Sequence, residues 1–275
     1  MSPFRGSAAL TESWEHFDFV VEAGIGTVTF ARPEKLNALT FQVYADLRDL
    51  LSEVPSREDV SVLVFTGEGK GFCSGGDVDE IIGRLLAMDS RSLLDFTRMT
   101  GSVVEGMRQL PVPIVAAVNG VAAGAGAVIA LAADFRLVAR SSRFHFLFTK
   151  VGLAGGDMGS AYLLPRLVGL GRATELLMLG DPVDAERAAD LGLATAVVDD
   201  ADLPAAAADL ARRLADGPTF AFAATKKLLT AEQDMSLAAA IEMEAMTQAL
   251  LMTTEDHAEF HRAFTAKRDP QWRGR

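Results

Sequence analysis

The sequence predicts an α/β fold: a core of strand–loop–helix units followed by a helical carboxy-terminal region. Three observations predict it. Short apolar runs, SVLVFT at 61–66 and PIVAAVN at 113–119, have strand length and β-branched content. Each runs into a glycine-rich loop and then a segment of helical periodicity, the order that builds parallel strand pairing. After about Asp199 the strand signals cease and four helical segments follow.

Taken in order, Phe17 to Phe30 alternates apolar and polar residues around Gly24 and Gly26, which reads as two strands and a tight turn. The polar loop RPEKLNALT follows, with Thr40 as N-cap of a helix whose stripe is Val43, Leu47, Leu50, Leu51 and Val54. The strand at 61–66 enters GEGKGFCSGGDVDEI, which opens a second helix near Asp77. Leu93, Phe96, Val103, Met107 and Leu110 line a further helix that stops before Pro111 and Pro113. The strand at 113–119 leads into GVAAGAGAVIALAAD, a loop and a small-residue helix. Strands are expected at 135–139 and 143–148, then VGLAGGDMGSAYLLPRLVG supplies a third loop before a helix. Helices are expected over 200–216, 218–232, 236–252 and 254–267. No linker separates independent units, so the division is a core, 1–199, and a helical region, 200–275.

Composition narrows the function. A net charge of −11 argues against a nucleic-acid partner, which needs a basic face. The single Cys73 excludes an internal disulfide or a multi-cysteine metal site and favours a reducing compartment, here the cytoplasm. No apolar run suits a membrane span or a signal peptide. Twelve of the 24 glycines fall within Gly67–Gly76, Gly120–Gly126 and Gly152–Gly159, each window between a strand and a helix. Glycine there lets a ligand approach the backbone, and a helix start offers unpaired N–H groups to an anion or a developing oxyanion.

Other site chemistries fit less well. No lysine completes a Walker pattern. Gly120 to Gly126 fits GxxxGxG, but Tyr44 and Tyr162 are followed four residues on by Arg48 and Arg166, not by the lysine of the usual Tyr-x-x-x-Lys pair. Ser74 lies outside a GxSxG elbow, and of the four histidines only His145 lies in a strand-like run. A serine hydrolase using Ser74 is a weaker alternative.

RPEKLNALT, GEGKGFCSGGDVDEI, PIVAAVNGVAAGAGAVIALAADFRL, RATELLMLGDPVDAERAADLGLATAVV and FHRAFTAKRDPQWRGR, in this order, resemble the enoyl-CoA hydratase/isomerase (crotonase) family. The resemblance implies a crotonase-like spiral of ββα repeats and carboxy-terminal helices that assemble a homotrimer or a dimer of trimers. It implies an acyl-CoA substrate and no cofactor beyond the coenzyme A that the substrate carries. Two backbone N–H groups would stabilise the thioester enolate, and by motif position they belong to Ser74 and Ala125. Coenzyme A contacts would come from Leu36, Ala38, Gly76, Asp77 and Val78, with Asp77 serving equally as a helix N-cap. Phe264 and Lys267 would reach a neighbouring subunit's nucleotide, and Lys35 and Lys267 would supply local positive charge.

The pattern is broken at the acids. The two positions that hold water-binding glutamates in similar hydratases are Val128 and Phe148, and neither side chain moves a proton. Relatives lacking those glutamates, dienoyl-CoA isomerases and chlorobenzoyl-CoA dehalogenases, carry a carboxylate where Asp157 stands. Val128, Phe146 and Phe148 would raise the pKa of that carboxyl, and Phe148 resembles an aryl-binding wall. The dehalogenase branch also expects a histidine in FTRMTGSVVEGMRQL, which offers only Glu105. The resemblance therefore implies an isomerisation or another enolate reaction more than standard hydration. The alternatives are a non-catalytic acyl-CoA-binding protein and a thioester hydrolase or dehalogenase using Asp157.

Overall fold

The computed structural model describes residues 9–275, so the first eight residues of the expected 1–199 core lie outside it. Strands β1 (Asp18–Glu22) and β2 (Ile25–Phe30) form the expected antiparallel hairpin. Its two-residue turn is Ala23-Gly24, both at positive φ, the twist that suits a tight hairpin. Helix α1 (Phe41–Glu53) starts as expected, with Thr40 Oγ1 accepting from Val43 N, a cap that contributes about 1 kcal/mol.

Three ββα turns follow. Strands β3 (Val62–Gly67) and β4 (Gly71–Cys73) lead into a π-turn at Val78–Ile82, then α2 (Gly83–Leu85) and α3 (Ser90–Gln109). Strands β5 (Ile114–Val118) and β6 (Val121–Ala123) lead to α4 (Ala125–Ala132). Strands β7 (Phe135–Ala139) and β8 (Arg143–His145) lead to α5 (Ser160–Val168) and, past Gly169, α6 (Leu170–Leu179). Each turn gives one strand to each of two sheets. One is ordered β1-β2-β3-β5-β7-β10 and the other β4-β6-β8-β9, parallel except at β1–β2 and β8–β9. Strand β9 (Val183–Asp184), α7 (Ala185–Asp190) and β10 (Ala196–Val198) complete the spiral.

The strand expected over 143–148 is shorter. It ends at His145 because Phe146 and Phe148 turn into the core, 0% and 7% exposed, and a 3-10 turn takes over at Leu147–Val151. Helix α4 is apolar on every side and buried along its whole length, as a helix trapped between layers must be.

The last four helices, α8 (Leu203–Ala215), α9 (Thr219–Ala231), α10 (Leu237–Leu251) and α11 (Glu255–Ala266), match the four expected segments. Their roles differ. Helix α8 packs Leu203, Ala207, Ala211 and Leu214 on Val62, Val64, Val115 and Leu137, covering the outer face of the six-stranded sheet. Helix α9 is bolted on by Lys226, whose Nζ lies 2.8 Å from Asp134. Helix α10 has no buried residue.

Candidate active site

The site grows from the first loop. Leu36 and Asn37 are both in the left-handed region, at φ 49° and 59°. Asn37 is held there by its side chain, which accepts from Arg32 N (2.9 Å) and donates to Gly71 O (2.7 Å) and Glu68 O (2.9 Å). The loop is then zipped to the GGDV turn: Leu39 N donates to Gly75 O (2.7 Å) and Asp77 N to Leu39 O (2.8 Å). Arg32 ties both pieces, donating to Ala38 O (2.8 Å) and Asp77 Oδ2 (3.1 Å).

These bonds decide which amides are free. The Ser74 N–H donates to Leu36 O at 3.0 Å, and the Ser74 hydroxyl to Lys35 O at 3.2 Å. The expectation that Ser74 supplies an oxyanion donor is therefore corrected: its amide is spent in holding the first loop. The Gly75 N–H is directed at the Cys73 sulfur. Gly76, half-buried, has no recorded acceptor for its N–H among the described residues. The same holds for Ala125, first residue of α4, where a helix start leaves N–H groups unpaired.

Gly76 and Ala125 belong to loops that touch. A Cβ on Gly75, at φ 94°, would come within 2.9 Å of Ala123 O and 3.5 Å of Ala125 N. On the other side, a Cβ at Gly126 would collide with the Cys73 carbonyl oxygen. Only glycine permits this approach, and that is why two windows of the sequence are glycine-rich. Cys73 itself is inert, since burial pushes its thiol up to about 12.

Asp157 sits half-buried in the third loop. Its Oδ1 accepts from Met158 N (2.9 Å), and no partner for Oδ2 is recorded among the described residues. Burial raises its pKa above the ordinary carboxylate range, and the Met158 amide opposes this only in part. The loop is built around Ser160, wholly buried: its Oγ donates to Gly155 O (3.1 Å) and accepts from Asp157 N (3.1 Å). Met158, at φ 51°, is a non-glycine residue in the left-handed region, a strain that fixes Asp157's backbone. Asp157 does not cap α5; Gly159 precedes that helix and makes no side-chain cap. Val128 is fully buried and Phe148 nearly so.

The remaining expected contacts divide. Leu36 and Val78 are exposed beside the first loop, while Ala38 is buried. Asp77 caps the π-turn, accepting from Asp79 N and Glu80 N, and its amide contacts and Arg32 hold its carboxyl below the usual range. Lys35 pairs with Asp79 at 3.3 Å. Phe264 on α11 and Lys267 just past its end stand exposed with no recorded hydrogen bond, ion pair or ring contact to these loops. His145 is held below its ordinary pKa by burial and by Arg143 and Lys150, and the Ser74 hydroxyl bonds to a carbonyl, so no serine–histidine pair is assembled. Asn37, Gly76 and Ser160 carry the site's geometry; of these the sequence flagged only Gly76, and for another role.

The enoyl-CoA hydratase/isomerase family model matches residues 21–275. The chain belongs to the enoyl-CoA hydratase/isomerase family. It is an enzyme of that family, and its relatives include both isomerases and hydratases. A 1,2-epoxyphenylacetyl-CoA isomerase of Escherichia coli is 37% identical over 255 residues, 93% of this chain and 97% of that one. A trans-2-decenoyl-[acyl-carrier-protein] isomerase of Streptococcus mutans is 31% identical, with the same coverages. A crystal structure from Streptomyces coelicolor A3(2), provisionally named an enoyl-CoA hydratase, has a TM-score of 0.98 at 64% identity over 100% of both chains. These neighbours share the spiral expected from the motifs. Among the described residues no helix is long and apolar enough to cross a membrane.

Proposed function

We propose that this family member isomerises an acyl-CoA thioester, or carries out another enolate reaction on it, rather than hydrating it with a glutamate pair. The carrying observation is the acid inventory. Both glutamate positions hold buried apolar residues, Val128 and Phe148, and the titratable group left in the third loop is Asp157, whose pKa burial raises, as suits a proton carrier. The thioester oxygen is taken by the amides of Gly76 and Ala125, whose fixed dipoles stabilise negative charge without reorganising. Asp157 then takes a proton from one carbon of the enolisable chain and returns it to another, so no water is consumed. The relative named for isomerising 1,2-epoxyphenylacetyl-CoA supports this direction.

The test is a panel of enoyl- and aroyl-CoA thioesters, followed by loss of the conjugated chromophore and by deuterium uptake at Cα. Water addition as the main product, or bound but unchanged esters throughout, would overturn the proposal. The oxyanion assignment has its own test. Ala125→Pro deletes one N–H at a first helical position where proline's φ is accepted, and steady-state kcat is expected to fall about 100- to 1,000-fold. Ser74→Ala keeps its amide bond to Leu36 and is expected to be nearly silent. A large loss in Ser74→Ala would instead give the hydroxyl a chemical role and favour the serine-hydrolase alternative.

We infer further that α10 docks on other copies of the chain in a homotrimer. Leu237, Ile241, Met246 and Leu250 are each more than half exposed on a helix that is mostly apolar, its polar side chains being Glu242, Glu244, Thr247 and Gln248. Such a helix is stable in water only when covered. Light scattering on the eluting protein is expected to give three times the chain mass or a multiple of it. Ile241→Glu with Met246→Glu is expected to yield monomer, and a monomeric parent would refute the inference.

A further inference from the structure

The two oxyanion amides hang on different strands. Gly76 follows β4 and Ala125 follows β6, and these strands pair at only two positions, Gly71 with Val121 and Cys73 with Ala122, with an irregularity between them. A ladder so short and broken specifies weakly how far one strand is offset from the other. The hole depends on that offset, because both donors must come within about 2.7–3.1 Å of one oxygen.

A side chain supplies what the ladder lacks. Asn119 lies between β5 and β6, at the step that leads to the Ala125 loop, and turns back on the bend joining β3 to β4. Its Oδ1 accepts from Gly67 N (3.1 Å), while Nδ2 donates to Gly67 O (2.8 Å), Gly69 O (3.0 Å) and Gly71 O (3.3 Å). Asn37 of the first loop grips the same bend, so Gly71 O, at the start of β4, accepts from both asparagines. A carboxamide suits the task because it offers an acceptor and two N–H donors at once. Neighbouring backbone is cut to fit. A Cβ on Gly67 would collide with Gly71 O and lie 2.7 Å from Asn37 Nδ2, and one on Gly120 would collide with Lys70 O.

We propose that Asn119 is a positioning residue for the oxyanion hole: with Asn37 on a shared carbonyl, it clamps the Gly67–Gly71 bend and so sets the spacing of the Gly76 and Ala125 amides. This rests on the oxyanion reading above. Asn119 acts through β4 and the Gly120 step, not on substrate. It is half-buried, whereas Val118 and Ala122 on either side are fully buried and apolar, so the fold is expected to outlast its loss while the hole loosens.

The spacing can be read optically. Hydrogen bonds to the carbonyl of a conjugated thioester draw charge from its π system and move its absorption to longer wavelength. Cinnamoyl-CoA is the probe, since it has no hydrogen on the carbon beyond its double bond and so cannot shift that bond. The parent is expected to bind it with a red shift. Asn119→Ser is expected to lose most of that shift and about 10- to 100-fold in kcat on a thioester the parent turns over, with affinity changed far less. Asn37→Gly, which keeps the left-handed backbone and deletes the other grip, is expected to behave alike. Leu214→Ala, which loosens α8 on the outer face of the sheet, is the destabilised control and is expected to keep the full shift. An undiminished shift and kcat in folded Asn119→Ser, an equal loss in Leu214→Ala, or failure of both asparagine variants to fold would overturn the proposal. Binding without any shift in the parent would overturn the oxyanion reading and this inference with it, and no binding would overturn the acyl-CoA reading beneath both.

Discussion

Asp157→Asn is expected to lower kcat by about 100- to 10,000-fold while leaving the affinity for a CoA ester nearly unchanged. Asparagine keeps the bond from Met158 N and the backbone held by Ser160, so the substitution removes a proton carrier and little else. Two accompanying results distinguish this from a structural effect. In the parent, activity should fall with acid as Asp157 is protonated, at a midpoint above the ordinary carboxylate range because burial raises its pKa. Stability should move the opposite way. A carboxyl whose folded pKa exceeds its unfolded value is penalised by folding when ionised, and the penalty is relieved as pH falls through the folded pKa. Asp157→Asn should therefore melt no lower than the parent at neutral pH, with any gain vanishing in acid. Full activity in Asp157→Asn would end Asp157's assignment and leave the family membership intact.

Asp134→Ala is expected to cost about 3–5 kcal/mol of folding stability, read from urea or thermal unfolding. Asp134 joins three elements. Its Oδ1 accepts from Arg108 of α3 (3.0 Å), and its Oδ2 lies 2.8 Å both from Lys226 Nζ of α9 and from Ile114 N at the start of β5. Lys226 is nearly buried, and burial already lowers its pKa against the opposing pull of Asp134. With the carboxylate gone, a buried ammonium keeps only the Val112 carbonyl at 3.0 Å, and Arg108 keeps Thr230 and Ala132. An uncompensated buried charge is what makes such a loss large, since truncating one partner costs far more than the pair contributes. A change below about 1 kcal/mol would show that the cluster is solvated in the working assembly.

Asp134 and Lys226 also mark where sequence reading stops. Neither gives a local signal, because residues 92 positions apart become partners only when α9 folds back over α3. Ser74 fails for a related reason. Its motif position suggested a free amide, but the first loop, some 38 residues earlier, claims that amide through Leu36. A hydrogen-bond partner across a spiral turn is invisible to local pattern. Tyr44 enters the sequence reading only as a tyrosine with no lysine four residues on, and its burial edge-on against Phe96 exists only once α1 packs on α3.

The sequence by itself determined the α/β class, most element boundaries, the cap at Thr40, the family and the missing glutamates. These depend on periodicity, on residue-specific backbone preferences and on the side chain at a given position. The tertiary structure decided which amides remain free, how far Asp157 is desolvated and which cations are buried. Each of these depends on what another segment contributes at close range, and burial and hydrogen-bond competition exist only once the spiral has closed.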